Sequence, residues 1–317
     1  MKQFLKVLLG FSILSILLLS AFQGILSFRM KGKSLYGHDN LEQTANRNAD
    51  LVFLGSSRCW AHFSPRFFDS AFALKSVNIG VDGHSELVMA IIRLKDYLSR
   101  NQAPRWAILN VDPFISAGNP NKTSNFVHKN TFARYAFLPS TKDQSIVNYF
   151  NFDWKEKYVP LYAIFKYKVF PDVISLKQDN DWSRYGFEMH QEDWDTVSKP
   201  VTPIMRDFFF KPSDIDSITN TLSELKLLCT AHNIKLLCIQ TPVYKVIYDD
   251  ASFQQLNSIC ENLHIPFVDA NKAYIRNDIK YFYNSNHLNK RGIDAMNALL
   301  KSDSLLMTFF STPRAGN

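Results

Sequence analysis

The sequence predicts an α/β protein built on a parallel sheet with helices on both faces. Three observations carry this. Short runs are apolar at every position and stop abruptly at Gly, Asn, Asp or Thr; stretches of helical period lie between them; and the two kinds alternate from residue 51 to residue 300. A strand buried on both faces has no polar side, so it reads as an unbroken apolar run, the mark of a parallel sheet. A chain of 317 residues that is 46% hydrophobic can build such a core.

Taken in order, Val7 to Phe28 carries no charge over about 22 residues, enough to cross a bilayer as a helix. Lys2 and Lys6 precede it and Arg29, Lys31 and Lys33 follow, so the flanking charge gives no orientation. The run is longer than a signal peptide's apolar region, and Leu19-Ser20-Ala21 is a poor cleavage site, which favours an uncleaved single-pass anchor over residues 1–30. A polar linker follows over 31–48, and residues 49–317 form the body.

Within the body, Leu51–Leu54 reads as the first strand and stops at Gly55-Ser56-Ser57-Arg58. Ser64-Pro65 opens a short helix, with a cap residue before proline at the first helical position. Ser76–Ile79 is the second strand. Ser85–Leu98 is a helix, marked by Leu87, Ile91, Leu94 and Leu98, and Trp106–Val111 is the third strand. Ser213–Ala231 is a long amphipathic helix carrying Ile215, Ile218, Leu222, Leu225 and Cys229. Ile234–Ile239 is the fourth strand and ends in Gln240-Thr241-Pro242; Ser252–Leu263 is a helix, Pro266–Val268 a fifth strand, and Gly292–Leu300 a closing helix. Residues 115–210 interrupt this rhythm with aromatic-rich segments such as "YFNFDW" and "YVPLYAIFKYKVF". That length exceeds an ordinary loop and predicts an insertion, whose aromatics pack together as its own core, stack on sugar rings or touch the bilayer.

Composition narrows the functional classes. The net charge of +7 is scattered, with no basic block and no nucleic-acid motif, which argues against a nucleic-acid partner. Cys59, Cys229, Cys238 and Cys260 lack metal-type spacing, and Cys229 and Cys238 lie in apolar segments as core thiols. No metal and no organic cofactor is implied. Gly80-Val81-Asp82-Gly83 alone suggests a nucleotide-binding turn, but it lacks the full glycine fingerprint.

Four blocks remain: Gly55-Ser56-Ser57 after the first strand, Asn78 to His84 after the second, Asn110-Val111-Asp112-Pro113 after the third, and "YNSNHLNKRG" at residues 283–292. Together they resemble the SGNH/GDSL hydrolase superfamily, over about 260 residues outside the anchor and linker. The resemblance implies a flavodoxin-like α/β fold. It also implies Ser57 as nucleophile, His287 as its base, and Gly83 as a backbone donor to an oxyanion. Beside this, Ser57 reads as a turn or helix-capping serine, His287 as a structural histidine, and His84 as a rival base. Arg58 either binds a substrate anion or closes the turn with an ion pair.

Two positions depart from the family. Asn284 stands where the family has the aspartate three residues before the histidine; it can orient the ring but cannot neutralise an imidazolium. Asp112 stands in the family's asparagine position, where an ionised carboxylate cannot donate to an oxyanion. Asp112 is left to orient His287 or a substrate hydroxyl. Asn110 would face the same side of the sheet, to meet substrate or to bond the backbone.

The expected function is a serine-dependent ester hydrolase or acyl (acetyl) transferase acting on an acylated cell-envelope glycan, from a membrane-anchored, extracytoplasmic or periplasmic body. The alternative is a catalytically weakened or inactive relative that binds glycan, or assembles with envelope proteins.

Overall fold

The computed structural model describes residues 1–30, 44–81, 83, 86–112, 115–118, 152–168, 186–187, 189–201 and 211–311. Helix α1 (Lys2–Met30) leads, and the body alternates β1 (Leu51–Leu54), α2 (Ser57–His62), α3 (Pro65–Phe72), β2 (Ser76–Asn78), α4 (Leu87–Arg100) and β3 (Trp106–Asn110). Then come α5 (Trp154–Tyr158), α6 (Tyr162–Lys166), α7 (Ile215–Ala231), β4 (Lys235–Gln240), α8 (Asp250–Asn262), β5 (Phe267–Asp269), α9 (Ala273–Arg276), α10 (Lys290–Lys301) and α11 (Ser304–Ser311). The five strands form one sheet in the order β2-β1-β3-β4-β5, and every pairing is parallel. That is the flavodoxin-like order, whose crossovers reverse direction beside β1. Both edge strands are three residues long.

The period of two in each strand divides the core into two layers. Val52, Leu54, Val77, Ala107, Leu109, Leu236 and Cys238 face one side, where Leu94 of α4, Leu222 and Leu225 of α7 and Ile259 of α8 cover them. Leu51, Phe53, Trp106, Ile108, Leu237, Ile239 and Val268 face the other, under Phe63, Phe68 of α3, Met296 of α10 and Phe309–Phe310 of α11. All four residues of β1 are fully buried, as an apolar run without alternation requires.

Cys229 and Cys238 are buried core thiols, and all four cysteines are unpaired and buried. Elsewhere the sequence reading differs from the structure at element ends. The apolar run after Ser304 forms α11 beyond the expected closing helix, and a six-residue helix starts at Ser57. Of the predicted linker, residues 31–43 lie outside the described residues, as does most of the predicted insertion.

One described part of that insertion, residues 152–168, is a compact two-helix unit. Asp153 caps α5 by accepting from the Lys155 and Glu156 N–H groups at 2.8 and 2.9 Å. Buried Glu156 accepts from the Tyr167 hydroxyl and, at 2.9 Å, from Lys166. Phe152, Ala163, Ile164 and Tyr167 are buried within the unit, whereas Trp154, Tyr158 and Phe165 are 65, 73 and 55% exposed.

Candidate active site

Ser57 follows β1 at the carboxyl edge of the sheet, beside the point where strand order reverses and open α/β folds expose their ligand crevice. Gly55 makes the turn. Its φ is +143°, and a Cβ there would stand 2.9 Å from the Cys59 Cβ and 3.1 Å from the Asn110 Cβ. Ser56, not Ser57, caps α2, its hydroxyl accepting from the Arg58 N–H at 3.2 Å. Ser57 is the first helical residue, and its hydroxyl is left for another partner.

That partner is His287. The Ser57 Oγ lies 3.0 Å from the His287 Nε2, and the His287 Nδ1 lies 3.1 Å from the Asn284 Oδ1. The same Oδ1 accepts the backbone N–H groups of Asn286 and His287, both at 2.9 Å. Two N–H donors require an acceptor there, so the amide must present oxygen, and an oxygen can meet Nδ1 only if Nδ1 carries the proton. The backbone of the loop therefore selects the tautomer whose Nε2 lone pair points at the serine. Burial first, then His190 and Arg58, lower the His287 pKa to about 3, so the ring is neutral near neutral pH.

Within the "HLNKRG" segment, Leu288, Asn289 and Gly292 hold the backbone around His287. The Leu288 N–H donates to the His62 Nε2 at 3.0 Å. The Asn289 side chain caps α10 by accepting from the Gly292 N–H at 3.1 Å, and donates to the Lys280 carbonyl at 2.9 Å. A Cβ on Gly292 would stand 2.1 Å from the Tyr281 carbonyl oxygen. Each contact fixes the backbone that carries His287.

Arg58, Asn110 and Asp112 lie together next to Ser56, all three 2% exposed, with Asp112 bonded to both of the others. The Arg58 Nη1 meets the Asp112 Oδ1 at 2.6 Å, the Ser56 hydroxyl donates to the other carboxylate oxygen, and the Asn110 Nδ2 donates to Oδ1 at 2.8 Å. Arg58 also donates to the Thr241 carbonyl and hydroxyl and the Pro242 carbonyl at 2.6, 2.7 and 2.9 Å. A guanidinium this deep needs a carboxylate, and parallel pairing of β1 with β3 sets Asp112 beside it. Arg58 thus ties the ends of β1, β3 and β4 together, the ion-pair reading of this residue. Gly83 stands in an exposed turn after β2 with φ +72°, and His84 lies outside the described residues.

Three residues of the site gave no signal of their own. His62, fully buried, accepts from Leu288 at Nε2, so its Nδ1–H donates to the Thr241 hydroxyl at 3.2 Å. Burial, then Arg58, His287 and His190, push its pKa well below the ordinary histidine value. His190, from the interrupted region, stacks on Tyr283 at 4.1 Å and meets the His287 ring edge-on at 5.3 Å. Thr241 reads in sequence only as a polar residue at a strand end. No group of three or more metal-ligating side chains occurs among the described residues.

No protein-family model and no curated protein matches the chain. Among solved structures it is similar to a protein described as an acylhydrolase from Bacteroides fragilis, at 14% identity over 86% of this chain and 95% of that one, TM-score 0.41. It is similar to a GDSL-like lipase from Bacteroides thetaiotaomicron at 13% identity, over 79% and 85% of the two chains, TM-score 0.37. A variant of a Geobacillus acetyl-xylooligosaccharide esterase is similar at 11% identity, over 86% and 99%, TM-score 0.38.

Proposed function

We propose that the chain is a serine-dependent ester hydrolase or acyl transferase, anchored in a membrane by α1, that acts on O-acylated glycan of the cell envelope from an extracytoplasmic body. The observation that carries the serine chemistry is the run of contacts from the Ser57 Oγ through His287 to the Asn284 Oδ1, at 3.0 and 3.1 Å.

In the first half-reaction the Ser57 oxygen bonds to the ester carbonyl carbon while its proton passes to the His287 Nε2. The backbone N–H groups of Ser57 and Gly83 are the donors for the resulting oxyanion. The carbon–oxygen bond to the alcohol then breaks, His287 returns the proton to that alcohol, and the acyl group stays on Ser57. Water, or a hydroxyl of a second glycan, attacks the acyl-serine with His287 again as base, and release of the acid or new ester regenerates the serine. Asp112 donates nothing here, because its oxygens are taken by Arg58, Ser56 and Asn110.

Asn284 sets the pace. It holds the right tautomer but carries no charge to stabilise the imidazolium, which burial, His190 and Arg58 already disfavour. The same observation favours the glycan-binding alternative if the barrier is too high for turnover. The test is labelling of the detergent-solubilised chain with a fluorophosphonate. Labelling that Ser57→Ala abolishes is expected. A folded wild type that takes no label, yet retains acylated oligosaccharide, would move the assignment to the binding protein.

A further inference from the structure

Helix α1 does not leave the body freely. The most apolar 18-residue stretch of Lys2–Leu26 has a mean hydropathy of 2.2 and is wholly unburied, yet Gln23 and Leu26 are only 1% and 3% exposed. The Gln23 Oε1 accepts the Leu161 N–H at 2.8 Å, in the turn between α5 and α6 where Leu161 takes the left-handed conformation, φ 63°. This contact sets a depth. From Val7 to Gln23 a helix rises about 24 Å at 1.5 Å per residue, most of a bilayer's hydrocarbon core, with Lys6 reaching for the opposite headgroups. With that stretch in lipid, Gln23 and the turn that binds it lie at the boundary of the headgroups.

The exposed side chains of the unit that carries Leu161 suit such a boundary. Trp154, Tyr158 and Phe165 are exposed, and Lys155 and Lys168 are exposed among them. Amphipathic aromatics with lysines are the composition of a membrane–water interface, where rings sit at headgroup depth and ammonium groups reach lipid phosphates. Between the unit and α1 an open cleft of about 490 Å³ is bounded by Leu19, Pro160, Tyr162 and Phe165. Water has little to bond there.

We propose that residues 152–168 are an interfacial platform: Trp154, Tyr158 and Phe165 insert at the headgroup–acyl boundary, the lysines face anionic headgroups, and lipid fills the cleft beside α1. The inference rests on α1 spanning a membrane, which the proposed function shares. The experiment uses the full chain in nanodiscs of phosphatidylcholine and phosphatidylglycerol, with a nitroxide at Trp154→Cys or Tyr158→Cys. Controls carry the label at Leu14→Cys in α1 and Leu227→Cys on α7. The native cysteines are buried and leave the label to the introduced sites. Labels at 154, 158 and 14 are expected to collide more with lipid-soluble oxygen than with a water-soluble nickel chelate, and the label at 227 the reverse. Water exposure at 154 and 158 with 14 in lipid overturns the platform alone and leaves that face for a protein partner. Water exposure at 14 as well removes the membrane reading with it.

Discussion

One side-chain oxygen decides how this site works. The Asn284 Oδ1 takes three donors, two from the backbone and one from His287, so the loop would hold an aspartate oxygen just as it holds the amide. When asparagine replaces the triad aspartate in a serine protease the rate falls about 10⁴-fold, partly because the wrong tautomer forms. That part of the loss is absent here, and the charge alone is missing. Asn284→Asp is therefore expected to raise kcat/KM by roughly ten- to a hundredfold, measured on an acetyl ester. The added carboxylate also stabilises the imidazolium and raises the His287 pKa from about 3. The base is active when neutral, so the acid limb of the pH–rate profile should lie near that low value in the wild type and move upward in the variant. An unchanged rate and profile would mean that His287 is not the base.

Elements explain why parts of this site were legible in sequence. β1 reads directly because four buried residues without alternation admit few other structures, and the Ser57 block follows from it. The "HLNKRG" block was legible because Leu288, Asn289 and Gly292 each serve the local backbone around His287. Helix α2 was not, since six residues are too few to display a period. Nor was the Arg58–Asp112 pair, whose members lie 54 positions apart and meet only because β1 and β3 are neighbours. Asn110 and Asp112 read in sequence as polar groups on one side of the sheet, and nothing local shows that Asp112 meets Arg58 and Asn110 meets Asp112. The same elements predict Gly292→Ala. Its methyl group would strike the Tyr281 carbonyl, so α10 must shift, at a cost of about 1–3 kcal/mol. The loop carrying His287 would move with it, and a lower Tm with kcat reduced more than KM is raised is expected. A variant with wild-type Tm and kcat would show that the helix start does not position the base.

Across the whole molecule, acid acts through two histidines held neutral. His62 has both ring nitrogens committed and is fully buried, and burial depresses the pKa of His62 and of His287. Unfolded histidine takes up a proton below about pH 6.5, which the folded ring refuses until its own lower pKa is reached. In that window the unfolded state binds more protons, so stability is full above the window and falls as pH drops through it. His62 alone contributes about 1.4 kcal/mol per pH unit. Tm in detergent should decrease from about pH 7 to about pH 5, before most carboxylates titrate. His62→Gln should flatten that slope; an unchanged slope would assign it to other groups. At the same scale the sheet ends on both sides in strands of three residues, β2 and β5. A foreign strand that added to either edge would find so few backbone groups to pair with that the ladder could not grow. Copies crowded at high density are therefore protected, along these edges, from the edge-to-edge growth that turns folded sheets into aggregates.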